Sequence, residues 1–230
     1  MKASLLTGLN KFEVDDIDIG DPGKNEVQIQ VMAAGTCGSD SHKMKSGWKY
    51  GYPSVMGHEF AGKVVKLGSD VTNVSLDDRV AMAPFMPCYH CYYCQTGMFQ
   101  MCEHYSMLGQ QKKGGFEQLV NVPVQNVLNI GNMPYEDGAL IEPMAVAAHA
   151  VFGIHAEIGD SVAVFGLGTV GDLVVRLLKV AGVKNIIGID IDDQKLEKGI
   201  QEGCTHVVNS SKVDLLKTVD QITGGRGVDI

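Results

Sequence analysis

Long apolar runs are missing from this chain of 230 residues. The best stretch, Ala139 to Ile154, is broken by Glu142, Pro143 and His149. It falls short of the roughly 18 consecutive apolar residues that cross a membrane. Basic charge is also scarce. Nineteen Lys and Arg stand against 27 Asp and Glu, a net charge of −8. That balance disfavours a nucleic-acid partner, because phosphate binding needs clustered cations. The short patch of Lys43, Lys45 and Lys49 does not reverse it and reads as a solvated loop. Met1 to Asp18 mixes charges with β-type residues and lacks the apolar core of a secretory signal. No internal repeat or low-complexity segment is present. Aromatic residues are few, and the single tryptophan, Trp48, sits near Tyr50 and Tyr52, where packing and substrate lining both remain open.

Cysteine is sparse but not scattered. Four of the six, Cys88, Cys91, Cys94 and Cys102, follow C-x2-C-x2-C-x7-C spacing. Thiolates at such intervals can wrap one ion in tetrahedral S4 geometry, for which zinc is the natural occupant. Bulky residues separate them (Tyr89, His90, Tyr92, Tyr93), and Gly97 lets the lobe, at about 86–104, turn back for Cys102. Close C-x2-C pairs without an export signal favour reduced, metal-bound thiolates and a cytoplasmic location. Cys204 reads as a small buried residue.

Two grammars divide the chain near residue 150. Residues 1–150 show short strands between turn signals, at Glu26–Ala33, Glu59–Leu67, Arg79–Ala83, Phe116–Pro123 and Gln125–Asn129. That rhythm predicts an all-β barrel or sandwich. Residues 151–230 alternate: strand Ser161–Phe165, helix Val170–Ala181, strand Asn185–Asp190, helix Gln194–Glu202, strand His206–Val208 and helix Ser211–Thr223. Alternation of this kind predicts βαβ units on a parallel sheet, an α/β fold. Val228–Ile230 reads as the opening of a fourth strand.

Gly166-Leu167-Gly168-Thr169-Val170-Gly171 is G-x-G-x-x-G between a predicted strand and a predicted helix. In that context Gly166 permits the turn, Gly168 admits a pyrophosphate, and Gly171 allows close helix–strand packing. The helix N-terminus faces the anion. Asp190, 24 residues after Gly166, ends the next strand and can accept hydrogen bonds from an adenosine ribose while repelling a 2′-phosphate. The expected cofactor is therefore NAD rather than NADP, with Lys195 included in its binding set.

Three separated fragments carry further metal-ligand chemistry: Cys37 to His42, Gly57-His58-Glu59 and Glu142-Pro143. Spacing alone does not join them, and each read singly has a bland structural explanation. CGSD at Cys37–Asp40, GHEFAG at Gly57–Gly62, DDRV at Asp77–Val80, the cysteine quartet, GGF at Gly114–Phe116, IEP at Ile141–Pro143 and the glycine turn run in one order over nearly the whole chain. Taken together, the chain resembles the zinc-dependent medium-chain alcohol and polyol dehydrogenases. It looks closest to the sorbitol and sugar-alcohol-phosphate branch, with a galactitol-1-phosphate dehydrogenase flavour around the quartet and at Met133–Pro143.

The resemblance implies a GroES-like β-barrel catalytic domain followed by a Rossmann doubly wound sheet. It implies two zinc ions per chain. Cys37 and His58 hold the catalytic one, Glu59 and Glu142 are carboxylates close to it, and the quartet holds a structural one. A cysteine often stands where Glu142 does in the wider family, so this departure points to the polyol branch. Asp40 would accept a hydrogen bond from His58. Ser39 would take the alcohol proton and His42 would pass it to solvent. The implied substrate is a small polyol or polyol phosphate, and the implied assembly a homodimer or homotetramer.

Competing classes make different demands. A ferredoxin-type iron–sulfur protein places its fourth cysteine after three residues and follows it with Pro; here seven intervene and Glu103 follows. A zinc ribbon pairs two C-x2-C knuckles across a longer loop. A member that has lost catalysis is disfavoured by intact Cys37, Ser39, His58 and Asp190. Members of the resembled family are longer, so the 230 residues by themselves are expected to hold both zincs and the adenosine half of NAD without turning over.

Overall fold

The computed structural model describes residues 1–230 and divides into two compact units, Met1–Glu142 and Pro143–Ile230. The seam thus falls inside a helix, eight residues before the change of grammar near residue 150.

The first unit opens with a hairpin, β1 (Lys2–Gly8) and β2 (Lys11–Asp16), followed by β3 (Glu26–Gly35), α1 (Gly38–Ser46) and β4 (Ser54–Val55). Next come β5 (Glu59–Leu67), β6 (Arg79–Met82), β7 (Phe85–Met86), α2 (Tyr92–Gln95) and, after a 3-10 turn, β8 (Ser106–Met107). β9 (Leu119–Pro123), β10 (Val127–Asn129) and α3 (Tyr135–Ala139) complete it, and α4 (Ile141–Gly153) runs across the seam. Five strands pair antiparallel in the order β10-β6-β5-β3-β9, and a smaller sheet is ordered β2-β1-β4. Period-two alternation fixes the core face. Val27 and Ile29, Val80 and Met82, and Val120 and Val122 turn inward together around Phe60 and Val64.

Several elements differ from the sequence reading. Lys43 and Lys45 lie on α1 rather than in a loop. The β9 strand begins at Leu119, not Phe116, and a 3-10 turn at Val124–Asn126 shortens β10 to Val127–Asn129. The β1–β2 hairpin and the helices α3 and α4 are additional. Trp48 is packed, buried with Leu6 and Met56, whereas Tyr50 and Tyr52 are exposed.

In the second unit β11 (Ser161–Phe165), α5 (Thr169–Ala181), β12 (Asn185–Asp190), α6 (Asp193–Glu202), β13 (His206–Asn209) and α7 (Leu215–Thr223) alternate. The sheet is parallel, ordered β11-β12-β13. Neighbouring residues of β12 face opposite layers. Ile186 packs with Val162, Leu178 and Leu196, while Ile187 and Ile189 pack with Val208, Leu215 and Val219. Helices therefore cover both faces, and β12 is apolar almost throughout, as expected of a central parallel strand. Asp214 caps α7, which starts four residues later than Ser211. Asp229 N–H donates to Ser161 O at 2.8 Å and Ala163 N–H to Ile230 O at 2.9 Å, so the last residues lie along the free edge of β11. No helix is long and apolar enough to cross a membrane.

Candidate metal centres and nucleotide turn

The first centre forms where β3 hands over to α1. Cys37 is the N-cap of α1: Ser39 N–H donates to its Sγ at 3.5 Å, and Cys37 N–H donates to Asp40 Oδ2 at 3.1 Å. This reciprocal cap fixes the sulfur at the helix's positive end. His58 and Glu59 arrive from the start of β5, whose register sets Glu59 opposite Gly35. A Cβ on residue 35 would stand 2.4 Å from Glu59 Oε2, so a larger residue there would push this carboxylate from its position. One ligand atom each from Cys37, His58 and Glu59 lies within 4.8 Å of the others.

The surroundings are acidic and largely buried. Asp40, His58 and Glu59 are all buried. His58 Nδ1 faces Asp40 Oδ1 at 3.6 Å, longer than a hydrogen bond, and both atoms are buried without a partner. Burial holds the His58 pKa below its ordinary value, and the Lys43 charge adds to this. A neutral imidazole is what a metal ligand must be. Glu142, in the first turn of α4, is pushed up to about 7 by burial and then by the Glu59 and Asp40 charges. It stands close enough to feel them but outside the compact set of three. A thiol, an imidazole and clustered carboxylates form a donor set that suits zinc, and a cation there would relieve the repulsion among the acids. Ser39 and His42 follow on α1 with no hydrogen bond between them. His42 is exposed and pairs through Nδ1 with Ser46 Oγ at 3.2 Å.

The second centre is local. One sulfur each from Cys88, Cys91, Cys94 and Cys102 lies within 4.8 Å of the others, and none is disulfide-bonded. Backbone N–H groups point at the sulfurs: Cys88 N–H reaches Cys102 Sγ at 3.2 Å and Cys91 N–H reaches Cys88 Sγ at 3.4 Å. The lobe is closed by the β7–β8 pair, and its buried cluster is the cysteines themselves with Phe85 and Tyr93 around them. Four sulfurs converge with no histidine among them, although His90 and His104 stack at 6.2 Å nearby.

In the second unit the glycine turn joins β11 to α5. Gly166 has φ +87°, and a Cβ on Gly171 would meet Gly166 O at 1.9 Å, so the helix comes against the turn only because position 171 is bare. Asp190 is tied into this turn: Oδ2 accepts from Leu167 N–H at 2.9 Å, and Oδ1 from Ile191 and Asp192 N–H at 2.8 and 3.0 Å. Those bonds, the Leu167 one foremost, hold the carboxyl below the usual range. Lys195 Nζ lies 3.9 Å from Oδ2. Asp190 thus acts as a turn residue at the end of its strand, a structural reading open to it from the sequence, whereas the Asp172–Lys198 ion pair that ties α5 to α6 had no sequence signal.

Residues 23–132 match the family model of the alcohol dehydrogenase GroES-like domain, and residues 169–230 match that of the zinc-binding dehydrogenases. The chain belongs to the zinc-binding medium-chain dehydrogenase family. Among its relatives, sorbitol dehydrogenase of Bacillus subtilis (strain 168) is 34% identical, covering 100% of this chain and 67% of its own length. L-threonine 3-dehydrogenase of Bacillus velezensis is 36% identical over 94% of this chain and 63% of its own. The crystal structure of galactitol-1-phosphate dehydrogenase from Escherichia coli superposes with a TM-score of 0.91 at 30% identity, covering 98% of this chain and 66% of that one. The chain thus spans about two thirds of the length of these relatives.

Proposed function

We propose that this chain carries the zinc-binding and dinucleotide-binding parts of an oxidoreductase that moves a hydride between a secondary alcohol and NAD. The alcohol belongs to a polyol or a sugar-alcohol phosphate. The observation that carries this reading is the convergence of Cys37, His58 and Glu59 from two elements beside buried Asp40 and half-buried Glu142. When bound, zinc at those residues supplies a Lewis acid for the alcohol oxygen, and NAD supplies the hydride acceptor.

The chain's own groups do the rest. Cys37, His58 and Glu59 hold the ion, and Glu142, balanced near neutrality, trims the charge around it. Asp40 orients the His58 ring from behind. Ser39 Oγ takes the alcohol proton, and His42, exposed and braced by Ser46, releases it to water. The glycine turn receives the pyrophosphate at the N-terminus of α5. Asp190 and Lys195 would hold the adenosine ribose, and the Asp190 charge would favour NAD over NADP. The quartet holds a second, structural zinc.

Metal analysis and activity assays test this together. A colourless protein with two zinc per chain, falling to one in His58→Ala, is expected. In an enzyme that carries these residues within a chain of the relatives' full length, oxidation of secondary polyols is expected, with Ser39→Ala losing most turnover. Iron in place of zinc, full turnover in Ser39→Ala, or equal affinity for NADP would each overturn the corresponding part. Comparing polyols with their phosphates sets the substrate branch. The assembly we propose is a homodimer or homotetramer in the cytoplasm, which sizing and fractionation would check.

A further inference from the structure

A cavity of about 260 Å³ in the first unit contains none of the residues used so far. It is smaller than the roughly 300–1,000 Å³ of sites for drug-sized ligands, and so of metabolite scale. Its distinctive group is Glu117, just ahead of β9. The backbone here is pinned to β1: Glu117 bridges Ala3, Ser4 N–H donates to Phe116 O at 2.8 Å, and Gln118 N–H donates to Lys2 O at 3.1 Å. With the backbone held, the side chain is committed to the interior. Glu117 is only 6% exposed, and neither carboxylate oxygen has a hydrogen-bond partner.

A buried carboxylate without a donor is costly. The neighbours do not satisfy it. Asn121 spends its amide on Ile19 O and Asp21 O and accepts from Gln28. Glu26 accepts from Gly23 N–H and adds a second acid to the lining. Lys112 and Lys113 also line the cavity, but both are exposed and neither is in an ion pair. The rest of the wall includes Ile19, Met86 and Leu108, which suits hydrocarbon.

Charge complementarity selects the occupant. The acid needs a donor inside, and two exposed lysines without ion pairs line the same cavity. A simple cation would be repelled by the lysines, and a simple anion by Glu117. We propose that this cavity binds a small zwitterion, an aliphatic primary ammonium bearing an anionic group, with its ammonium on Glu117 and its anionic end at Lys112 and Lys113. Burial pushes the Glu117 pKa up to about 7 against the Lys113 charge, which pulls it down, so the lysine does not by itself satisfy the acid. The proposal is independent of the dehydrogenase reading.

The test is a titration of the 230-residue chain with 5-aminopentanoate, with pentylamine and pentanoate as single-charge controls. Carbon-13 NMR of the Glu117 carboxyl gives the readout. Saturable binding of 5-aminopentanoate is expected, with Glu117 losing its proton on binding. Affinity should fall at least about tenfold, equivalent to 1.4 kcal/mol, for either control, for Glu117→Gln and for Lys113→Ala. Equal binding of pentanoate or pentylamine, unchanged affinity in Glu117→Gln, or no saturable shift would overturn it. So would a Glu117 resonance that titrates below the ordinary carboxylate range without ligand, since Lys113 would then already occupy the acid.

Discussion

The two cysteine-containing centres of the first unit are built by opposite strategies. The quartet falls between Cys88 and Cys102, and its geometry comes from turns that join one ligand to the next. The other centre gathers Cys37, His58 and Glu59 through a helix cap and a strand register, with Glu142 nearby from another helix. Local construction ties ligand convergence to the folding of one small lobe. Distributed construction inherits its precision from the β-sheet, and can exist as a shaped site before any ion arrives.

That contrast predicts different responses to damage. The largest effect should come from Cys94→Ser. Zinc contributes about 10–16 kcal/mol to folding in small zinc peptides, so residues 85–107 should lose hydrogen-exchange protection while the five-stranded sheet keeps it. Global unfolding would erase the distinction between the two centres. Cys37→Ser should behave otherwise. Serine is a good N-cap, so α1 should persist and thermal stability without metal should change by less than about 1 kcal/mol, while zinc content falls from two to one. Loss of α1 signals in that variant would show that the sulfur is mainly a scaffold.

Asp40→Ala should be milder at the metal and harsher on the helix. Losing the reciprocal cap costs about 1 kcal/mol, and losing the group behind His58 should weaken zinc about 10–100-fold. Calorimetry and competitive zinc titration separate the two.

Glu117 serves as a control outside both centres, where the effect on zinc should be the smallest. Burial raises its folded pKa to about 7, above the ordinary glutamate value of 4.5. The stability it contributes is therefore complete below about pH 4.5 and lost as pH rises through 7. Glu117→Gln should remove that decline, leaving the variant more stable by on the order of 2 kcal/mol at pH 8. Zinc content should be unchanged. Denaturant melts across pH 5–8 would reveal the slope, and a wild-type curve that rises over that range contradicts the assignment.

Legibility in the sequence followed the same division. The quartet could be read from spacing alone, and β5, β11 and β12 from their β-rich runs between turn signals. Helix α1 was not visible because Asp40 is its only buried residue, which leaves no apolar stripe to detect. Its signal was the cap, Cys37 with Asp40 three residues on, in a form where sulfur replaces the usual oxygen. The hairpin strand β2 is exposed along its whole length and so carries no inward alternation. The joining of Cys37, His58 and Glu59 needed either family resemblance or a sheet register, because no local pattern reaches from the cap of α1 to the start of β5. Glu117 had no sequence signal; its isolation comes from neighbours that satisfy one another instead.

Gly35 carries one more lesson. It donates no ligand atom and makes no polar contact with an ion, yet the room for Glu59 is the space its side chain does not fill. A designer transplanting this centre by copying its ligands would omit it and displace the Glu59 carboxylate. Graftable sites of this type include blank positions, and an inventory of functional side chains leaves those positions out.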